Sequence, residues 1–340
     1  MAPQNALAID NIVARPGTKV TGLLEVGRRP DATVMGLPVH VVRGANPGRT
    51  LVVDACTHGD EVEGTLAVLQ FVEGLDPAAL SGTVICVPVL NMYAFEMGQR
   101  GAYPGGEVAI YDMNRIMPGA ADGPATLRLV HLYFSKIVAH ADFVVSLHGG
   151  GLQQYRTERI IYQERSEASL DLAKSLGPAW SIVQEDVPQL GSIERACTEL
   201  GKPCVITELG GSPARFPDEY RRHVSTMVES LHNLLRHYAM SAGAPQYAKE
   251  WIRVAAPHGL HCTNGGVMVP APDLVMKRRC PPNTPLARLI DLFGREAEVV
   301  RAPYDGVVLG YKSMMYCRAA DIAVSFGRVL DVAPPSTRVS

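Results

Sequence analysis

Short apolar runs alternate with longer amphipathic stretches over the first two thirds of the chain. The runs lack the every-second-residue polar alternation of a half-exposed strand, which is typical of strands buried on both faces. The pattern predicts such strands over residues 50–55, 84–89, 143–147 and 204–207. Apolar residues at helical spacing predict helices over residues 61–72, 125–139, 167–176 and 218–238.

The order of these segments predicts an α/β fold, in which helices cover both faces of a β-sheet. Two segments that precede the alternation, residues 20–25 and 33–42, have the pattern of an antiparallel pair. We therefore expect a mixed sheet rather than a purely parallel one.

The pattern changes at about residues 242–250. Short strands punctuated by Gly and Pro follow, and residues 285–292 form the single candidate helix in this part of the sequence. We expect a larger α/β domain over residues 1–243 and a smaller all-β domain over residues 244–340.

Composition and charge exclude several classes of protein. Hydrophobic residues make up 47% of the 340 positions, enough for a sizeable core, and the net charge of -2 offers no basic surface for nucleic acid. The seven cysteines include no C-x-x-C pair, and the apolar runs are too short to span a bilayer. The N-terminal residues lack the pattern of a secretory signal. We expect a cytoplasmic protein that binds neither membrane nor nucleic acid.

Polar residues of catalytic types follow three of the predicted strands. His58 and Glu61 follow the first strand, and His148 and Glu208 follow the third and the fourth. Ligands of open α/β sheets bind beyond the carboxyl ends of the strands, so these side chains are expected to meet at one edge. Two His and one Glu are a usual ligand set for catalytic zinc and leave a fourth position for water. A further carboxylate, here Glu208, can take a proton from that water and return it to a leaving nitrogen.

The His-x-x-Glu spacing of His58 and Glu61 is a weak signal by itself. Such pairs arise by chance in a chain of this length, and a single His at a strand end is usually a structural residue. The joint placement of two His and two Glu at strand ends favours the metal site.

Arg100, Asn114 and Arg115 flank a Gly- and Pro-containing stretch between the first two ligand segments. We expect this loop to rim the same pocket. An Arg beside the metal can stabilise a developing oxyanion, and an Asn–Arg pair can bind a carboxylate through forked hydrogen bonds. The alternative is a solvated loop with ordinary surface salt bridges.

Four short motifs occur in a defined order: HGDE at residues 58–61, DMNR at 112–115, SLH at 146–148 and TELGG at 207–211. Their order and spacing resemble those of the succinylglutamate desuccinylase/aspartoacylase family, which belongs with the zinc carboxypeptidase-like hydrolases. The resemblance extends to about residue 240. The segment that follows is similar to the C-terminal domain of bacterial members, a lipoyl-like β sandwich.

The resemblance implies one zinc ion per chain. It also implies hydrolysis of the amide bond of a small N-acyl amino acid or a related carboxylate-bearing amide. The residues that match the family's functional positions are the zinc ligands His58, Glu61 and His148, the general base and acid Glu208, Arg100 beside the scissile carbonyl, and Asn114 and Arg115 for the substrate carboxylate.

The chain departs from the family pattern in two places. Many members carry Asp two residues before the second His ligand, where this chain has Ser146, so the partner of His148 is expected to differ. Residues 109–113 are more apolar than the usual polar run, so the acyl or amine part of the substrate is expected to be unusual.

Two other functions remain open at this level. The nearest is a metallocarboxypeptidase acting on small peptides. The other is a non-catalytic metal-binding or carrier protein, in which Lys277 would carry biotin or lipoate, but the residues beside it fit neither attachment motif. An enzyme needs a carboxylate such as Glu208 beside the metal, whereas a carrier has no use for it.

The remaining polar residues are assigned ordinary roles. His258 and His261 are a candidate second metal pair, but they lie off the sheet edge and are interpreted as loop or interface residues. Asp60 and Glu63 are interpreted as solvated acids at a helix start, where the helix dipole favours them. The apolar second domain favours self-association into a homo-oligomer.

Overall fold

A computed structural model of the protein describes residues 6–101, 112–211, 217–255 and 258–334. Its strands are, in chain order, β1 (Leu7–Ile9), β2 (Ile12–Ala14), β3 (Thr18–Arg28), β4 (Val34–Arg43), β5 (Asn46–Ala55), β6 (Ser81–Val87), β7 (Phe143–His148), β8 (Gln154–Gln163), β9 (Ile182–Asp186), β10 (Cys204–Gly210), β11 (Trp251–Val254), β12 (His258–His261), β13 (Gly266–Pro270), β14 (Arg279–Cys280), β15 (Pro285–Ile290), β16 (Glu296–Arg301), β17 (Gly306–Lys312), β18 (Tyr316–Cys317) and β19 (Ile322–Ala333). Its α-helices are α1 (Glu63–Gly74), α2 (Met92–Met97), α3 (Ala125–Lys136), α4 (Glu167–Ser175), α5 (Ile193–Glu199) and α6 (Pro217–His237). Residues 109–111 of the apolar loop lie outside the described residues.

Within the described residues, thirteen strands form one mixed sheet in the order β14-β17-β19-β11-β9-β8-β10-β7-β5-β6-β4-β3, with β12 paired to β19. The four central strands β6, β5, β7 and β10 are parallel neighbours, so their carboxyl ends lie at the same edge. β3 and β4 add an antiparallel edge beside β6. The predicted mixed sheet and its antiparallel start are confirmed.

Helices cover both faces of the central strands, as predicted. Phe71 of α1 and Leu231 of α6 pack in one core with Val53 of β5. On the other face, Leu129 of α3 packs in a second core with Val52 of the same strand. Successive residues of β5 thus enter opposite cores, and this is why the strand is apolar throughout rather than alternating.

The described residues after position 250 contain strands and no helix. The predicted helix over residues 285–292 is wrong, because β15 occupies this segment and pairs with β13 and β16. Leu286, Ala287 and Leu289 are buried. This spacing also fits one face of a helix, and only the pairing with neighbouring strands distinguishes a strand from a helix here. β13, β15, β16 and β18 form a separate four-stranded sheet, whereas β11, β17 and β19 extend the main sheet. The domain boundary at residues 243–244 stays a prediction.

The seven cysteines are buried and free of disulfide bonds. They serve as small apolar side chains within the cores. No helix among the described residues combines the length and the apolarity that crossing a membrane requires.

Candidate active site

The chain leaves β5 through a tight turn that places His58 and Glu61 between the strand and α1. Cys56 adopts a φ of +56°, a left-handed conformation that sends the backbone out of the sheet plane. Gly59 packs against α2 so closely that a Cβ atom would lie 1.9 Å from the carbonyl carbon of Ala94. A side chain at position 59 would therefore displace the loop that carries both polar residues.

His148 and Glu208 reach the same edge on the two adjacent strands. His148 is the last residue of β7, and Glu208 of β10 is its register partner across the parallel pair. Because β5, β7 and β10 are parallel and contiguous, the four predicted strand-end residues are neighbours in space.

His58, Glu61 and His148 form a buried triangle. The two carboxylate oxygens of Glu61 separate the two rings, with Oε1 2.8 Å from His58 Nδ1 and Oε2 3.1 Å from His148 Nδ1. One ligand atom from each residue lies within 4.8 Å of the other two, and the described residues contain one such group. Two imidazoles and a carboxylate in this arrangement fit a zinc ion, which accepts nitrogen and oxygen ligands and retains an open position.

The charges of the triangle also fit a cation. Burial opposes ionisation, but His58 and His148 hold the pKa of Glu61 well below its usual range. Against the effect of burial, Glu61 and Asp112 raise the pKa of His58 to about 9. The carboxylates therefore stabilise positive charge at this point, and a bound dication would supply it in place of a proton.

Asp112 and Arg100 hold the outer side of this triangle. Asp112 Oδ1 lies 3.0 Å from His58 Nε2, so a His58 ring that used Nδ1 as a ligand would donate its other N–H to Asp112. Arg100 pairs with Asp112 at 3.0 Å and with Glu61 at 3.4 Å. Asp112 belongs to the DMNR motif, but the sequence analysis assigned it no role. The structure reveals its contact with His58.

Glu208 is held by two arginines of β8. Its Oε1 accepts a hydrogen bond of 2.6 Å from Arg156 Nη1 and lies 3.5 Å from Nη2 of the buried Arg159. Burial lowers the pKa of Arg159 to about 10, and Glu208 opposes that shift. The other oxygen of Glu208 is buried without a hydrogen-bond partner. This oxygen is the one available to a ligand.

Asn114 and Arg115 lie in the 3₁₀ turn Met113–Arg115. The Asn114 side-chain oxygen accepts a hydrogen bond of 2.8 Å from the backbone N–H of Ile193, at the start of α5. This leaves its NH₂ group as the end that can donate to a ligand. Arg115 Nη1 donates to the Asn114 carbonyl at 2.7 Å.

One cavity of about 160 Å³ brings these groups together. It is lined by all seven predicted site residues, His58, Glu61, Arg100, Asn114, Arg115, His148 and Glu208, and by Arg156, Ile161, Asp186, Gln189, Ser192, Glu194 and Ile206. The structure therefore places every predicted site residue at one site, and their individual roles stay predictions.

Part of the cavity wall was not predicted. Arg156, Asp186 and Glu194 come from β8, β9 and α5, elements that the apolar pattern did not identify. Glu194 is buried, and burial together with the nearby carboxylates of Asp186 and Glu208 raises its pKa to about 8. A signal was available in β8, where Arg156 and Arg159 precede the apolar pair Ile160 and Ile161, but this half-buried strand was not recognised.

Asp60 and Glu63 are not the solvated acids that the sequence suggested. Both are buried. Asp60 Oδ2 accepts a hydrogen bond of 2.9 Å from the backbone of Leu152, and Glu63 Oε1 accepts one of 2.8 Å from Gly211. They bind the loops that follow β7 and β10 to the loop of His58. His258 and His261, which were interpreted as loop or interface residues, both lie in the strand β12. His261 Nδ1 lies 2.8 Å from the Ala320 carbonyl oxygen, in keeping with a structural role.

Comparison with known proteins gives consistent matches. A profile of the succinylglutamate desuccinylase/aspartoacylase catalytic domain matches residues 47–238, more than half of the chain. The N-alpha-acetyl-L-2,4-diaminobutyric acid deacetylase of Halomonas elongata is 28% identical over 238 residues, which cover 67% of each chain.

Solved structures share the fold over nearly the whole chain. The product-bound ectoine utilization protein EutE (DoeB) from Ruegeria pomeroyi superposes with a TM-score of 0.81 and 23% identity, covering 97% of this chain and 100% of its own. A succinylglutamate desuccinylase/aspartoacylase from Rhodobacter sphaeroides gives a TM-score of 0.79 and 21% identity, covering 92% of this chain and 96% of its own. At these identities the likeness shows the fold alone.

Proposed function

Because the chain belongs to the succinylglutamate desuccinylase/aspartoacylase family, we propose that it is a zinc-dependent deacylase that hydrolyses the amide bond of a small N-acyl amino acid. The observation that carries the proposal is the buried His58–Glu61–His148 triangle in the wall of a cavity that also contains Glu208. The limited volume of that cavity, about 160 Å³, favours a small substrate over a peptide.

His58, Glu61 and His148 would hold the zinc ion. When bound, zinc lowers the pKa of a water molecule and polarises the acyl oxygen of the substrate. His58 is oriented for this role by Asp112, which lies 3.0 Å from its outer nitrogen.

Glu208 is the general base and acid of the proposal. Its partnered oxygen is fixed by Arg156, which aims the carboxylate, while its other oxygen is buried and free of protein hydrogen bonds. That oxygen takes the proton of the attacking water and returns it to the nitrogen as the amide bond breaks. One residue thereby serves both halves of the reaction.

Arg100, Asn114 and Arg115 position the substrate. The guanidinium of Arg100 lies within 3.4 Å of Glu61 and can donate to the oxyanion that develops on the acyl oxygen. The NH₂ group of Asn114 and the guanidinium of Arg115 line the cavity and would bind the carboxylate of the amino acid.

Asp186 and Glu194 indicate which amino acid fits best. These acids line the cavity near Glu208, and one Glu194 oxygen is buried without a partner. A substrate that carries a second, free ammonium group would relieve the repulsion among the carboxylates there. The Halomonas elongata relative is named for such a substrate, an acetylated diamino acid. We therefore propose an N-acyl diamino acid as the preferred class.

The test is a hydrolysis screen of purified, zinc-loaded protein, with release of the free amine as the readout. N-acetyl-2,4-diaminobutyrate, N-acetylaspartate, N-succinylglutamate and a set of dipeptides would be compared at equal concentration. We expect the acetylated diamino acid to have the highest kcat/KM and a chelator to abolish turnover reversibly. Preferred cleavage of dipeptides would indicate a metallocarboxypeptidase instead, and turnover that persists after zinc removal would contradict the proposal.

A further inference from the structure

Ser146 occupies the position two residues before His148 where many members of the family carry Asp. Its side chain is fully buried, and its hydroxyl donates a hydrogen bond of 2.7 Å to Oδ1 of Asp54. Asp54 belongs to β5, the strand beside β7, and is the register partner of Ser146. A carboxylate is therefore present beside position 146, but it comes from the neighbouring strand.

Asp54, Ser146 and His148 lie on the same face of the sheet. Register partners of parallel strands share a face, and so do residues two apart on one strand. Val52 and Val144, two residues before Asp54 and Ser146, both pack in the core on the α3 side. The Asp54 carboxylate therefore lies on the same face of the sheet as the imidazole of His148, one strand away and two residues along, and the charge of His148 acts on its pKa.

The outer nitrogen of His148 needs an acceptor. His148 faces Glu61 through Nδ1, while its Nε2 is buried without a hydrogen-bond partner in the described residues. When Nδ1 binds a metal, the proton of a neutral imidazole must reside on Nε2. A buried N–H without an acceptor costs free energy and leaves the ring orientation unfixed.

Asp54 has the chemistry of that acceptor. It is fully buried, and Tyr133 and Ser146 each donate a hydroxyl hydrogen bond of 2.7 Å to its carboxylate. Thr57 donates a third, longer hydrogen bond of 3.5 Å. Burial raises the pKa of Asp54, and these three hydroxyls and the nearby charge of His148 oppose this. Each carboxylate oxygen accepts more than one hydrogen bond, so capacity remains for His148.

We propose that Asp54 is the positioning residue of His148, and that the pair Asp54 and Ser146 carries out from two strands what a single Asp at position 146 does in relatives. The carboxylate is then supplied by β5 instead of β7, and the Ser146 hydroxyl holds it from the position that Asp occupies in relatives. This inference rests on the proposed function, because it assigns a role toward the zinc ligand His148.

The test measures zinc affinity and not activity alone. Zinc dissociation constants would be determined by competition with a chromophoric chelator for the wild type, Asp54→Asn, Asp54→Ser, and the exchange variant Asp54→Ser/Ser146→Asp. Loss of an outer partner of a metal ligand typically weakens binding by about 10–100-fold. We expect losses of this size in both single variants and recovery of most of the affinity in the exchange variant.

Tyr133→Phe is the matched control, because it removes one hydrogen bond to the same carboxylate and leaves the carboxylate in place. We expect it to lower the Tm of the metal-free protein while changing zinc affinity little. Nitrogen NMR of His148 in the zinc-loaded protein gives a second readout. The Nε2–H proton should be protected from exchange with water in the wild type and in the exchange variant, and should exchange rapidly in Asp54→Ser.

The outcomes separate this inference from the proposed function. A wild-type protein that binds no zinc would contradict the proposed function. A wild type that binds zinc, with Asp54→Asn and Asp54→Ser equal to it in affinity and in Nε2–H protection, would overturn the role of Asp54 alone. An exchange variant that folds but stays as weak as Asp54→Ser would also overturn it, since the carboxylate would then act only in its original strand.

Discussion

Two walls of the cavity differ in how their charges are matched. The metal wall, formed by His58, Glu61 and His148 with Asp112 behind His58, is a chain of contacts of 2.8 to 3.1 Å in which each carboxylate faces an imidazole. The substrate wall is formed by Arg156, Asp186, Glu194 and Glu208, with Arg159 behind Glu208. It leaves buried atoms of Arg156, Arg159, Glu194 and Glu208 without partners. In the proposed function the first wall holds one ion, and the second has several unmet hydrogen bonds that a substrate would complete. The contacts of the first wall leave one buried atom without a partner among the described residues, His148 Nε2, whereas the second wall leaves atoms of several residues without one.

The largest effect is expected from breaking the metal wall. The double variant His58→Ala/His148→Ala should retain no zinc and no measurable turnover, because two of three ligands are gone. Elemental analysis of the purified protein checks this. His261→Ala is the matched control, and it should keep about one zinc per chain since His261 bonds to the Ala320 carbonyl. Full zinc in the double variant would place the metal elsewhere.

The next largest effect is expected at Glu208, which lies in the substrate wall but, in the proposed reaction, takes a proton from the water that attacks the amide. Glu208→Gln keeps the shape of the side chain and removes its basicity, so kcat should fall by about 10⁴ or more, at the upper end of general acid–base effects. Zinc content and inhibitor Kd, measured on the same preparation, should stay near wild type. A fall of only a few-fold would mean that another group is the base, and a loss of zinc would make Glu208 a ligand.

A smaller effect is expected where the substrate carboxylate binds. Arg115→Lys should raise KM by about 10–100-fold with little change in kcat, because an ammonium cannot form the forked pair of hydrogen bonds. The substrate's carboxamide analogue should show the same loss with the wild type. Arg195→Lys, at an exposed ion pair with Glu199, serves as the control. Equal turnover of the acid and its amide would exclude this role for Arg115.

The smallest expected effect tests whether the acids of the substrate wall bind a second, positively charged ammonium group of the substrate. Glu194→Gln should lower kcat/KM for N-acetyl-2,4-diaminobutyrate by about tenfold and leave N-acyl amino acids without a second amine nearly unchanged. Glu199→Gln, at an exposed site on the same helix, is the control. An equal loss for both substrate types would argue that Glu194 only supports the fold.

The same variant has a pH signature. Because the pKa of Glu194 is raised to about 8 in the folded protein, the folded state holds a proton that the unfolded chain releases at about pH 4.3. Between these values the free energy of unfolding contributed by Glu194 decreases as the pH rises. Glu194→Gln should therefore gain stability relative to the wild type between about pH 5 and about pH 8, measured by denaturant unfolding. A pH-independent difference would contradict the shifted pKa.

Apart from Asp112, the metal wall could be predicted from sequence because its residues lie at or just after the ends of apolar strands. His58 and His148 lie within three residues of the ends of β5 and β7, and strand ends in a parallel sheet converge by geometry. The motifs around them also identified the family, and both the family and the class of enzyme, a hydrolase of amide bonds, are confirmed.

Apart from Glu208, the residues of the substrate wall escaped prediction for a physical reason. Arg156 and Arg159 lie on β8, which pairs antiparallel with β10 and is only half buried, so it lacks the apolar run that marks the central strands. Glu194 lies on α5, which has only seven residues and therefore gives little periodic signal. Asp54 was missed because a charged residue inside an apolar strand gives no sign of its partner until the register with Ser146 is known.

The position of β8 in the sheet has a consequence for how substrate preference can change over evolution. One end of β8 pairs with β17, and Gly310 is the register partner of Arg156. The two backbones are so close that a Cβ at position 310 would lie 2.7 Å from the Tyr155 carbonyl oxygen. A substitution at Gly310 would thus displace Arg156 without touching His58, Glu61 or His148. Under the proposed function, selection acting on the C-terminal strands can in this way change which amine is accepted while the residues proposed for hydrolysis stay in place.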